Sequence, residues 1–217
     1  MNRSYFGYTL LLCTLWFVSC NPSSKKDQNT SLTEKRLALD QPEEIQQISD
    51  IITRFAAAYL VQDSAKTNAF IHPEEGLAVI HRPGVMDVFT LVDHIDFNNP
   101  IPNYYPYIAF EHHSTLRFEA LPEFDCGPME WDKEGFFCDT TSANTTNLLQ
   151  TILDFQEEYG EASFSSETQE QITRLEAGSF RVILNPPNGN FLIFHVKKFD
   201  TGWYVTLIDR AYAGCDA

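Results

Sequence analysis

The stretch from Ser179 to Asp209 constrains the fold most. Three runs of apolar alternation, 179–184, 190–199 and 203–209, follow one another with only Asn185-Pro186-Pro187-Asn188-Gly189 and a turn at Thr201-Gly202 between them. Connections this short pair strands antiparallel, so the end of the chain reads as a meander. A two-residue Thr201-Gly202 turn sets Lys198 opposite Val205 and Val196 opposite Leu207, and matching of apolar faces sets Val182 opposite Leu192. One face then carries Phe180, Val182, Leu184, Leu192, Phe194, Val196, Trp203, Val205 and Leu207, and helices must cover it. The other carries Arg181, Ile183, Phe191, Ile193, His195, Lys197, Tyr204, Thr206 and Ile208. A face of that mixture calls for partial cover by a loop, a ligand or a second chain, and a homodimer through it is one expectation.

The helices are legible upstream. Pro42 opens a pattern in which Ile45, Ile48, Ile52, Phe55 and Tyr59 recur every three to four residues, with Glu43 and Glu44 in the first turn. Asp63 is placed to cap a short second helix that His72-Pro73-Glu74-Glu75-Gly76 brings to an end. Leu77–Ile80 and Val85–Phe89 read as strands around Arg82-Pro83-Gly84. Residues 93–140 mix prolines, paired aromatics and short apolar bursts without a sustained period. Leu148, Ile152, Phe155 and Tyr159 mark another helix, capped by Asn144 or Thr145 and stopped by a left-handed Gly160. Ser166-Glu167-Thr168-Gln169 fits a capping box for one more. The fold class expected is α+β, with N-terminal helices and a further helix packed on a mainly antiparallel sheet.

The chain carries 15 Lys and Arg against 30 Asp and Glu, a net charge of −15. Affinity for nucleic acid comes mainly from cations on phosphates, so nucleic acid is excluded as a partner. The N-terminus is organised differently. Arg3 precedes the apolar run Leu10–Val18, which has signal-peptide length and falls short of the roughly 20 residues that span a bilayer. Phe17-Val18-Ser19-Cys20 resembles the lipobox of bacterial lipoproteins, departing from it at Phe17, where an aliphatic is commoner. The resemblance implies a signal peptide over 1–19, diacylation (palmitate) and N-acylation at Cys20, and membrane attachment through that lipid. Acyl methylenes supply ~0.8 kcal/mol each for such an anchor. Residues 20–41 then form the lipidated cysteine and a flexible tether of about 25 Å root-mean-square span, and 42–217 a single globular domain. Lys25, Lys26, Lys35 and Arg36 outnumber Asp27, Glu34 and Asp40 in the tether, so the acidic excess belongs to the domain. Asn21 rather than Asp after the cysteine is similar to the pattern that permits outer-membrane sorting. The expected location is the bacterial cell envelope, at the outer membrane facing the periplasm. Asp63-Ser64-Ala65 and Asp139-Thr140-Thr141 resemble O-glycosylation acceptors of exported Bacteroidota proteins.

With Cys13 in the leader and Cys20 lipidated, Cys126, Cys138 and Cys215 face an oxidising compartment. The reversing segment between Cys126 and Cys138 favours a disulfide of those two, leaving Cys215 free or frayed near the end. Hydrolase, metalloprotease, P-loop, C-x-x-C and calcium-loop motifs are absent from the sequence, and no cofactor or metal set is expected. His72, His81, Asp93-His94-x-Asp96 and Glu111-His112-His113 offer imidazoles and carboxylates, but no spacing supplies a third ligand. Arg181, His195, Lys197, Tyr204 and Thr206 share a sheet face and form a candidate anion- or sugar-binding floor. Asn103-Tyr104-Tyr105-Pro106-Tyr107 is a candidate aromatic platform for glycan or peptide.

Helices, a strand pair, another helix, then a meander closing on Gly202-Trp203-Tyr204-Val205-x-x-Ile208-Asp209 resembles the cystatin-like cone of nuclear-transport-factor-two-like domains, over the two ends of residues 43–209. That likeness implies a pocket between helices and a curved sheet. The leading reading is a lipid-anchored, non-catalytic binding or accessory domain with a small-molecule, glycan or peptide ligand. The second is an enzyme with His195 or His94 as general base and Arg181 steadying a developing anion, and the third a dimerising structural domain.

Overall fold

The structure, a computed structural model, describes residues 42–140, 148–160, 162–187 and 189–211. Helix α1 (Pro42–Leu60) buries Ile48, Ile52, Phe55 and Tyr59, the stripe its periodicity marks out. It ends in a Schellman motif. Gln62 takes the left-handed φ of 55°, its N–H donates to the Tyr59 carbonyl, and the Asp63 N–H donates to that of Ala58, both at 3.0 Å. The Asp63 carboxylate then accepts from Lys66 N at 3.1 Å and caps α2 (Ser64–Asn68), as expected.

Strands β1 (Leu77–His81) and β2 (Val88–Val92) form a hairpin, the second starting three residues later than its apolar run because Val85 lies 82% exposed in the turn. The middle third folds into short pieces: β3 (Leu116–Phe118), β4 (Phe124–Asp125), β5 (Glu130–Trp131) and β6 (Gly135–Cys138). Helix α3 (Leu148–Tyr159) is turned relative to its expected face. Leu149, Ile152 and Leu153 go inward, while Phe155 and Tyr159 stack on each other at 4.6 Å on the outside. Gly160 closes it without a left-handed φ, its N–H donating to the Gln156 carbonyl at 2.9 Å. The expected caps Asn144 and Thr145 lie outside the described residues. Helix α4 (Ser166–Glu176) is capped by Ser165, one residue before the expected box, with its Oγ accepting from Thr168 N at 3.1 Å.

The meander forms as read: β7 (Phe180–Asn185), β8 (Leu192–Phe199) and β9 (Gly202–Asp209). Its register differs. The turn sits at Asp200-Thr201, so Phe199 faces Gly202, Val196 faces Val205 and Val182 faces Phe194. These two-residue slips keep every side chain on its face. A bulge between His195 and Val196 then opposes His195 to Leu207, which moves Leu207 to the mixed face and Ile208 to the apolar one.

The fold is α+β. Seven strands run in the order β2-β1-β9-β8-β7-β6-β3, mainly antiparallel, with parallel pairs β1·β9 and β3·β6; β4 and β5 form a separate ribbon. Helix α1 covers the apolar face, with Phe55 against Phe194 at 4.8 Å between ring centroids. Helices α3 and α4 cover the other face, where Leu149, Leu153, Ile172 and Leu175 meet Ala78, Ile80 and Leu207. The chain therefore supplies its own cover for both faces of the meander. Among the described residues no helix is long and apolar enough to cross a membrane.

Cys138 is a buried free thiol opposite Val182, so the expected Cys126–Cys138 bridge does not form. The physical reason is its direction: it points into the main core, whereas Cys126 lies exposed on the β4–β5 turn. Cys126 is itself disulfide-bonded, and not to Cys138.

Candidate functional site

The residues singled out on the mixed sheet face are neighbours, but most are already engaged and the rest are buried. His195 is wholly buried, and its Nδ1 lies 3.1 Å from the Oγ of buried Ser179, which follows α4. Its Nε2 and the Thr206 Oγ1 have no hydrogen-bond partner among the described residues. Burial, aided by the Arg181 guanidinium, pushes the His195 pKa down to about 3. The ring is therefore neutral at ordinary pH and shut off from solvent. A general base must reach a substrate proton, and no solvent path leads to this one.

Arg181 faces His195 across the strands and donates to the Asp209 carboxylate at 3.0 Å. Lys197 donates from Nζ to the Arg174 carbonyl of α4, and burial holds its pKa below the usual lysine range. Tyr204 packs edge-on against His72 at 4.8 Å. Four of the five are thus engaged by Ser179, Asp209, Arg174 and His72, and Thr206 is wholly buried, so they do not form an open floor.

The other candidates disperse. His94 is exposed, with Nδ1 2.5 Å from the Asp93 carboxylate, which that contact keeps below the usual carboxylate range. Asp96 instead accepts from Asn98 N and Asn99 Nδ2 within its own turn. His72 accepts from the N–H groups of Glu74 and Glu75 at 3.2 Å. Among the described residues no three His, Cys, Asp or Glu side chains gather as a metal set. Of the acceptor-like motifs, Ser64 is exposed on α2 and Thr140 is buried. The tyrosine run is partly internal. Arg210 lies over the Tyr105 and Tyr107 rings at 4.2 and 4.4 Å and donates to the carbonyls of Ile101, Tyr105 and Pro106. Tyr107 is buried and Tyr104 alone of the three is largely exposed. A cavity of about 30 Å³ beside them has room for a single water.

A larger opening lies where the sequence drew no attention. The last turns of α1 and the short α2 enclose a groove of about 530 Å³ lined by Arg54, Ala57, Ala58, Val61, Lys66, Ala69 and Phe70. Its volume falls in the range of small-molecule sites. Residues 54, 57, 58 and 61 share one helical face, distinct from the stripe that α1 turns to the sheet. Alanines at 57, 58 and 69 leave the hollow, and buried Phe70 is among the side chains lining it. The Schellman turn holds the corner, and Gln62 Nε2 fastens it by donating to the Tyr107 carbonyl at 2.8 Å. Arg54 lies 5.3 Å from the Phe70 ring centroid and pairs with Asp50 at 3.0 Å, while Lys66 pairs with Asp63 at 2.8 Å. Val61, at the edge, is 73% exposed.

The sequence signal for this site was present but faint. Val61 continues an apolar pattern past the point where the core stripe ends, and the alanine run 56–58 leaves room without announcing it. Comparison with protein-family models, with curated proteins and with solved structures gave no match.

Proposed function

We propose that this chain is a lipid-anchored protein of the bacterial cell envelope whose domain works as a non-catalytic binding module, with the α1–α2 groove as its binding surface. The observation that carries the binding reading is the groove itself: apolar walls, a volume suited to a small ligand, and a corner pinned by the Schellman turn and the Gln62–Tyr107 hydrogen bond. The enzyme reading draws no support from His195, which is sealed, or from His94, which stands exposed beside a single carboxylate. The envelope address rests on Phe17-Val18-Ser19-Cys20 and on the polar tether after it.

Two measurements test the two halves. In cell fractionation, the intact chain partitions with outer membranes and Cys20→Ala leaves them; a Cys20→Ala chain that stays with membranes defeats the anchor. For the groove, a ligand that binds only the folded state raises its stability. Millimolar 1-octanol therefore raises the thermal midpoint of the chain from Asn21 onward, which contains every residue of the described fold, and fails to do so in Val61→Glu. An equal rise in both moves the binding surface elsewhere.

A further inference from the structure

We propose that the occupant of the α1–α2 groove is a single-chain fatty carboxylate, its tail along Ala57, Ala58, Val61 and Phe70 and its head between Arg54 and Lys66. The inference rests on the groove being the binding surface and adds the class of ligand.

Charge complementarity carries it. In a chain of net charge −15, the two charged side chains that line this apolar hollow are both cations. Each already holds a carboxylate, Asp50 on Arg54 and Asp63 on Lys66, with all four side chains at least 30% exposed. Ion pairs so exposed contribute little, so a ligand carboxylate replaces one of them at small cost. A guanidinium also accepts a carboxylate through two parallel hydrogen bonds, which fixes the head while the tail lies in the hollow. A neutral alcohol of equal chain length keeps the apolar contact and loses the ionic one; an alkylammonium meets like charge.

The length of chain before the fold fits the same ligand. Twenty-one residues separate Cys20 from the start of α1 at Pro42. A flexible segment of that length spans about 25 Å root-mean-square. With Cys20 lipidated as proposed above, a connection of that length keeps the domain within reach of the lipid, where fatty-acid monomers leaving a bilayer first appear.

The experiment is isothermal titration of the chain from Asn21 onward with octanoate, 1-octanol and octylammonium, in the native form and in the variants Val61→Glu and Arg54→Gln/Lys66→Gln. All three positions are exposed, so the variants keep the fold, which far-ultraviolet circular dichroism checks. The expected result is octanoate binding at least tenfold tighter than 1-octanol, weakest binding for octylammonium, collapse of the octanoate preference in Arg54→Gln/Lys66→Gln, and loss of all binding in Val61→Glu. Equal affinities for octanoate and 1-octanol, with both lost in Val61→Glu, overturn the carboxylate assignment and leave the groove as a neutral apolar site. Absence of binding by every probe, or octanoate binding unchanged in Val61→Glu, overturns the groove as well.

Discussion

His195 shows how much one residue's burial decides. An imidazole opposite an arginine on a half-polar face reads from sequence as a reagent, because alternation gives its face but not what lies over that face. With its pKa pushed down to about 3, the folded chain stays unprotonated at this site where the unfolded chain, with an ordinary value of 6.5, takes up a proton. The folded state therefore binds fewer protons between those two values. The stability His195 supports is present in full above pH 6.5 and is lost progressively as pH falls toward 3. In nuclear magnetic resonance its ring signals should hold their neutral positions from pH 8 to pH 4.5. A midpoint near 6.5 would mean that the ring is open to water and would revive the general-base reading.

At the scale of elements, local chemistry was the legible part. The α1 stripe, the Asp63 cap and the three-strand meander each follow from a few adjacent residues, and the structure keeps them. Misreadings arose where two local rules compete. On α3, Leu148-Leu149 and Ile152-Leu153 fit two overlapping stripes, and packing against α4 and β2 selects the one that leaves Phe155 and Tyr159 outside. At the β8–β9 pair, a bulge that no turn signal foretells exchanges Leu207 and Ile208. Glycines separate the same way. Gly76 enters β1 at φ +66°, and a Cβ there would meet the Val92 carbonyl oxygen at 2.2 Å, whereas one at Gly178, φ +72°, meets nothing within 4 Å. A left-handed φ costs a non-glycine residue about 1–2 kcal/mol, so Gly178→Ala should lose about that much and Gly76→Ala at least about 3 kcal/mol. Urea unfolding measures both. Equal losses would show that β2 yields to the added methyl.

For the whole molecule, the sheet lies between two helical layers, an arrangement the sequence did not disclose. The meander's mixed face called for a ligand or a second copy because nothing local tells that α3 and α4 will return to cover it, and the parallel pairing of β1 with β9 joins residues some 130 positions apart. With that face closed, the hollow at the end of α1 offers an apolar opening, assembled from alanines whose smallness is their contribution. Whether ligands enter there or on the meander is the central question, and amide chemical-shift mapping of the chain from Asn21 onward during octanoate titration answers it directly. The account predicts saturable shifts clustered at residues 54–61 and 66–70, with the amides of Arg181, His195 and Lys197 unmoved. Shifts centred on Arg181, His195 and Lys197, with the α1–α2 corner silent, would contradict it.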